Sequence, residues 1–513
     1  MADVHTGVAT ATYSLTMSTA TAEAGGVRTG TTQGRWVLAA TVAASGLVML
    51  DATVVNVALA RIGNELDVGF AGLQWISNAY TLTLASFILI GGVLGDRYGR
   101  RRVFLIGTVW FALASVLCAV SVNEQMLIAA RALQGVGGAL VTPGSLAIIS
   151  STFVRTDRAK AIGVWSGLGG IASAAGPFVG GWLVQSSWRL VFVINLPLAV
   201  AVLLISLRHV PESKQTGIGR RPMDLPGSMI LVGCLGSLTY GLTTAGESGW
   251  TLPAVGGSLV GALAAVGFVL WERTTTHPLV PPSIFANRVF SATNVVTVFL
   301  YAALSVYFFL LVIQLQAVSG WSPLAAGMSL LPSTLLMLLL SARSGALSER
   351  IGPRPLMTAG ALLAAAGFVL AVPIGADARY LTDVLPSVVL LGLGLSCAVA
   401  PLTAAALGSV GDDLAGAASG INNAVARTAG LLAVVIIPAI AGLSSVGLGD
   451  VSALSQGFGT SMIIGAALLV VGAVVAWFGV GRQPESTPVP DDRVAVHRYS
   501  QCPVTGPGLH PRD

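Results

Sequence analysis

The chain is a succession of apolar runs of about twenty residues or more, separated by short polar or basic stretches. An α-helix of that length crosses the roughly 30 Å hydrocarbon core of a bilayer, so the pattern predicts fourteen spanning helices. They fall near residues 36–60, 75–95, 103–122, 125–150, 161–184, 190–207 and 225–245, then 252–271, 290–315, 324–346, 355–375, 384–408, 418–442 and 459–480. The fold class expected is an all-α integral membrane bundle. Residues 1–35, rich in Thr, Ala and Ser, and residues 481–513 read as cytoplasmic tails, the first disordered. The first run is too long for a signal-peptide core.

Composition sharpens this picture. Of 513 residues, 54% are hydrophobic and 10% charged, with mean hydropathy +0.81, whereas a soluble domain carries about 25% charged residues. A water-soluble fold is excluded. Of 27 lysines and arginines, 21 fall in the tails and in loops on the same side as both termini; Arg61, Arg189 and Arg379 fall on the other side, and Arg131, Arg343 and Arg427 lie inside the spans. By the positive-inside rule both termini are cytoplasmic and the helix count is even, as expected of a multi-pass cell-membrane protein.

The net charge of +5 reflects basic loops beside anionic lipid, and no nucleic-acid partner is expected. Cys118, Cys234, Cys397 and Cys502 lack metal-ligand spacing, so neither a metal nor a disulfide framework is expected. The two lysines, Lys160 and Lys214, do not sit in a phosphate-binding loop. No cofactor and no enzymatic activity are expected. Arginine outnumbers lysine 25 to 2, which hints at a GC-rich bacterial source.

The stretch Gly92-Val-Leu-Gly-Asp96-Arg97-Tyr-Gly99-Arg-Arg101 returns as Gly345-Ala-Leu-Ser-Glu349-Arg350-Ile-Gly352-Pro-Arg354, an offset of 253. This maps the second span onto the tenth. Two parallel six-helix repeats, 36–207 and 290–480, are therefore separated by residues 208–289, which comprise a basic linker, two inserted helices and a Pro-rich connector.

Charged and small residues inside the spans carry the candidate chemistry. Asp51, in Leu50-Asp51-Ala-Thr53-Val-Val-Asn56, is the single acid placed deep in a span, and Arg131, in Leu127-Ile-Ala-Ala-Arg131-Ala-Leu-Gln134-Gly135-Val-Gly137, is estimated to lie at similar depth. Ionisable groups there are costly and mark function by default. Gly163, Gly167 and Gly170 share a face of the fifth span with Ala174, and Gly176-Pro177-Phe-Val-Gly180-Gly181 follows. Small residues at that spacing let helix backbones approach. Arg427, in Gly420-Ile-Asn422-Asn423-Ala-Val-Ala-Arg427, is another buried cation, with structural bracing and substrate contact both open.

Together these motifs resemble the major facilitator superfamily, in particular its fourteen-helix drug/proton antiporter branch of the QacA and EmrB type. The resemblance implies a proton-gradient-driven, monomeric exporter of small lipophilic drugs or antibiotics that needs no cofactor. It assigns proton coupling to Asp51 and Arg131, and gating to Asp96, Arg97, Gly99, Arg101, Glu349 and Arg350, with the N-terminus of helix 13 near Gly416 as partner. The glycine-rich fifth span matches the antiporter motif. Asn56, Gln134, Trp165, Gln314, Asn423 and Arg427 are candidates for the substrate cavity. The tenth span has no carboxylate, unlike dication exporters, which points to neutral or monocationic substrates. The alternatives are a proton-linked transporter of another metabolite and a non-transporting scaffold or receptor.

Overall fold

The computed structural model describes residues 26–213, 224–276, 278–410, 415–444, 446, 450 and 451–481. Of the tails expected at 1–35 and 481–513 and the basic linker expected at 208–224, residues 1–25, 214–223 and 482–513 lie outside the described residues, whereas 26–35 are ordered rather than disordered: Val27 N donates to Thr152 O and Thr29 N to Asp157 Oδ2, both at 2.8 Å, and the first helix begins at Thr32. The backbone satisfies itself almost wholly in helices, as an apolar solvent demands. In chain order they are α1 (Thr32–Leu66), α2 (Phe70–Tyr98), α3 (Arg100–Ala119), α4 (Glu124–Thr152), α5 (Arg155–Ser186), α6 (Leu190–His209) and α7 (Leu225–Ser248). There follow α8 (Leu252–Thr274), α9 (Arg288–Val318), α10 (Pro323–Ile351), α11 (Pro353–Ala371), α12 (Tyr380–Gly408), α13 (Ala415–Ile440) and α14 (Val451–Gly479). Many run several residues beyond the apolar stretches. Their ends are set by polar caps such as Thr31, Asn123 and Asp450, whose side chains accept from backbone N–H groups in the first turn.

Among the described residues, twelve helices are long and apolar enough to cross a membrane, and a thirteenth joins them when the bent pair Phe70–Ile88 and Ile90–Tyr98 counts as one span. Helix α5 stands outside that set. It is 32 residues long with seven glycines, and several of its residues lie outside those described.

Helix packing repeats with a period of eight helices. In the first half α1 packs on α5 and α6, α2 on α4, and α3 on α4 and α6; in the second, α9 packs on α13 and α14, α10 on α12, and α11 on α12 and α14. The repeated loop motif has a structural counterpart: Gly99 (φ +113°) and Gly352 (φ +84°), 253 residues apart, each turn the chain between consecutive helices in a conformation glycine adopts without penalty. Helices α7 and α8 pack against each other, and α7 leans on α2 and α13. Asp224 staples the start of the pair: its Oδ1 accepts from Gly227 N and from Trp271 Nε1, both at 2.8 Å.

The two halves meet at the end of the bundle opposite the termini. Gln74 Nε2 on α2 donates to Val434 O on α13 at 2.6 Å, and Gln316 Nε2 at the end of α9 donates to Val57 O on α1 at 2.9 Å. At the same end α5 presses on α10: a Cβ placed on Gly181 would lie 2.6 Å from Leu324 Cα, and one on Gly327 would collide with the Pro177 carbonyl. Between the halves lies a cavity of about 950 Å³.

Candidate functional site

Asp51 and Arg131, 80 residues apart, meet in the middle of the first half. Arg131 Nη1 donates to Asp51 Oδ2 at 2.5 Å, and the two residues are 1% and 0% exposed. Removing both charges from water is expensive and is repaid only when the remaining donors and acceptors are also satisfied. Here they largely are. Asp51 Oδ1 accepts from Gln134 Nε2 and Asn195 Nδ2, each at 2.8 Å. Arg131 also donates to Gln134 Oε1 at 2.6 Å and to Ile76 O at 3.3 Å. Ser115 Oγ accepts from Gln134 at 2.8 Å and from Asn195 at 3.2 Å. The Tyr80 ring lies 4.3 Å from the guanidinium carbon, a cation–π distance. Every described partner of the carboxylate is a donor.

Five helices build this cluster: α1 supplies Asp51, α2 Tyr80, α3 Ser115, α4 Arg131 with Gln134, and α6 Asn195. Arg131 and Gln134, three apart, share a face of α4. Asn195 stands in a recognisable stretch, Trp188-Arg-Leu-Val-Phe192-Val-Ile-Asn195-Leu-Pro197, but neither it nor Ser115 nor Tyr80 carries a local signal of contact with Asp51. Only the crossing of helices reveals that contact.

Arg131 and Tyr80 line the central cavity, whereas Asp51 lies behind them. Of the other cavity candidates, Asn56, Asn423 and Arg427 line it. Gln134 belongs to the buried cluster. Trp165 Nε1 donates to Ser45 Oγ at 2.9 Å, and Gln314 Nε2 to Ile374 O at 2.8 Å; these three side chains are not in the lining. The walls add aromatic and apolar groups from the second half, including Phe308, Phe309 and Met337, which have no periodic signature beyond being apolar.

The loop between α2 and α3 is clasped by the segment that follows α6. Arg100 N donates to Ser213 O at 3.0 Å and Arg101 N to Glu212 Oε1 at 3.2 Å, while Arg101 Nη1 reaches Val210 O at 3.2 Å. Asp96 accepts from Arg100 one turn on, at 2.8 Å, and Arg97 lies over the Tyr98 ring. The partner expected near Gly416 falls in residues 411–417, whose surroundings lie outside the described residues. In the second copy Glu349 and Arg350 are exposed and make no hydrogen bond or ion pair with a described side chain.

On α5, Gly176 and Gly180 pack against α1 at Thr53 and Val54, while Pro177 and Gly181 face α10. This segment thus sits in the seam between the halves. Gly163 has open space around it, and the surroundings of Gly167 and Gly170 lie outside the described residues.

Among the described residues, no group of three or more His, Cys, Asp or Glu could hold a metal ion. Solved structures with the same architecture include a bacterial homologue of the human lysosomal transporter Spinster, with TM-score 0.66 and 18% identity, covering 88% of this chain and 98% of that one. A D-xylose–proton symporter matches with TM-score 0.63 and 16% identity, covering 87% and 98%. At such identities the likeness concerns the fold. Sequence relatives are nearer. The puromycin resistance protein of Streptomyces alboniger is 34% identical over 466 residues, 88% of this chain and 92% of the relative. The tetracenomycin C resistance and export protein of Streptomyces glaucescens is 34% identical over 394 residues, 76% of this chain and 73% of the relative. The methylenomycin A resistance protein of Bacillus subtilis is 35% identical over 388 residues, covering 74% and 83%. With a family model matching residues 41–434, this multi-span membrane protein belongs to the Major Facilitator Superfamily.

Proposed function

We propose that the protein is a proton-coupled antiporter that exports lipophilic drugs or antibiotics across a bacterial cell membrane through fourteen crossings, α5 included, with both termini in the cytoplasm. The observation that carries this reading is the buried Asp51–Arg131 contact beside a cavity between two packing repeats. In this orientation the closed seam at Gln74, Gln316, Gly181 and Gly327 is the outer one, and the cavity serves the cytoplasmic side. Transport follows from rocking the halves about that cavity. A proton entering from outside displaces Arg131 from Asp51, and because Arg131 also lines the cavity, its release changes the substrate site. Proton and substrate then bias the same two-state element, which is all that coupling requires. The α2–α3 loop, with Asp96, Arg97, Gly99 and Arg101, acts as the cytoplasmic gate, and Glu349 and Arg350 form a weaker second copy.

The resistance and export named for the relatives support a drug as cargo, and the glycine-rich end of α5 in the seam supports a role for that helix in conformational exchange. The test is efflux in everted vesicles energised by a pH gradient, with neutral, cationic and anionic fluorescent dyes as cargo. Asp51→Asn should insert normally and lose gradient-driven transport. Undiminished proton-driven efflux by that variant would sink the assignment.

A further inference from the structure

The cavity carries a charge imbalance that bears on its cargo. Among the described residues its lining contains two cations, Arg131 and Arg427, and no aspartate or glutamate. Arg131 is matched by Asp51 at 2.5 Å. Arg427 is not: among the described residues it forms no ion pair and donates no hydrogen bond, and its Nε is buried without an acceptor. The titratable groups near it are the phenols of Tyr80 and Tyr301, and the Tyr80 hydroxyl is already committed to Val48 O at 3.1 Å.

A second lining residue repeats the pattern. Asn78, 3% exposed, has its Nδ2 buried without an acceptor. Donors left unmatched in a desolvated place are costly, and they become an asset when a ligand brings acceptors. Helix α10 reinforces the sign, since the cavity-lining part of it contributes Ser333, Thr334, Ser341 and apolar groups but no carboxylate. Phe308, Phe309 and Met337 supply the apolar surface against which the body of a ligand packs.

We infer that the cavity selects lipophilic anions, held by a carboxylate or similar acidic group on the Arg427 guanidinium, with Asn78 as a second donor. A guanidinium offers two parallel N–H donors that match a carboxylate, and the bond is charge-assisted. A lipophilic cation meets the opposite situation: an uncompensated positive charge in the wall and no acid among the described lining residues to offset it. This departs from the expectation of neutral or monocationic cargo. It deepens, and rests on, the export reading above, because the same cavity is taken as the substrate site.

The test is equilibrium binding to the purified full-length protein in lipid nanodiscs, without any gradient, using one fluorophore in three charge forms. The probes are 7-diethylaminocoumarin-3-carboxylate, its ethyl ester and its choline ester. The carboxylate should bind most tightly and the choline ester most weakly. Arg427→Gln should weaken carboxylate binding by about tenfold or more, the scale of one charge-assisted hydrogen bond, and leave the ethyl ester unchanged. Arg427→Lys, which keeps the charge but loses the fork, should retain part of the preference.

Binding of the choline ester as tight as that of the carboxylate overturns the inference. So does an unchanged carboxylate affinity in folded Arg427→Gln, or the absence of binding by all three probes. Should Arg427→Gln fail to fold, the rank order in the unaltered protein and in Arg427→Lys decides. Export is judged separately: gradient-driven efflux that survives Asp51→Asn defeats the coupling scheme while leaving the binding order intact.

Discussion

Neutralising Arg131 and Asp51 together should cost far less than the sum of neutralising each alone. Both residues are essentially withdrawn from solvent, at 1% and 0% exposure, and their charged atoms are 2.5 Å apart. Removing one partner of such a pair leaves the other charge buried and uncompensated, at a cost of about 3–5 kcal/mol. Arg131→Gln should fall toward the lower end, because Gln134 and Asn195 still donate to Asp51 Oδ1 at 2.8 Å. Asp51→Asn should cost a comparable amount, since the Arg131 charge then faces only amide and carbonyl oxygens and the Tyr80 ring. The double variant holds no buried charge, so its loss should fall short of the sum of the single losses by about 3 kcal/mol, well beyond the roughly 0.5 kcal/mol scatter of independent sites. The assay is reversible unfolding by titrating SDS into detergent micelles, followed by tryptophan fluorescence across the four members of the cycle. Single losses that add within that scatter would refute the claim that the two charges depend on each other.

The loop glycine gives a sharper steric expectation. At Gly99, with φ +113°, a Cβ would lie 2.7 Å from Glu212 Oε1, so Gly99→Ala should slow efflux several-fold, and adding Glu212→Ala should restore only the part owed to the clash, leaving the backbone strain. Replacing Gln74 and Gln316 by alanine removes the two hydrogen bonds that join the halves at the seam; at roughly 1 kcal/mol each, the pair should raise the population open at that end by about tenfold or more, read as spin-label distances across the seam. At the start of α14, hydrogen bonds from Ala453 N and Ser452 hold the Asp450 carboxyl below its ordinary range. Its stabilisation is therefore complete above the unfolded value and is lost as pH falls through the depressed one. Hydrogen exchange in the first turn of α14 should speed up on acidification, and in Asp450→Ala should be fast at every pH.

Much of this architecture is written locally. A bilayer forces each span to satisfy its own backbone and to be apolar over some twenty residues, so helix positions and the eight-helix period of the packing can be read from linear pattern. Asp51 and Arg131 are conspicuous for the same reason, because charge is expensive where they lie. What binds them is not written locally. Asn195 lies 144 residues from the carboxylate it donates to, and Ser115 and Tyr80 look like ordinary members of apolar runs until α1, α2, α3, α4 and α6 cross at one point. Likewise, the apolar residues of the second half that face the cavity, such as Phe308, Phe309 and Met337, cannot be told from those that face lipid, since no periodic contrast separates them. That Gln134 turns toward Asp51 while Arg427 finds no partner among the described residues is decided by packing: a long polar side chain takes whatever acceptor the neighbouring helix brings within reach.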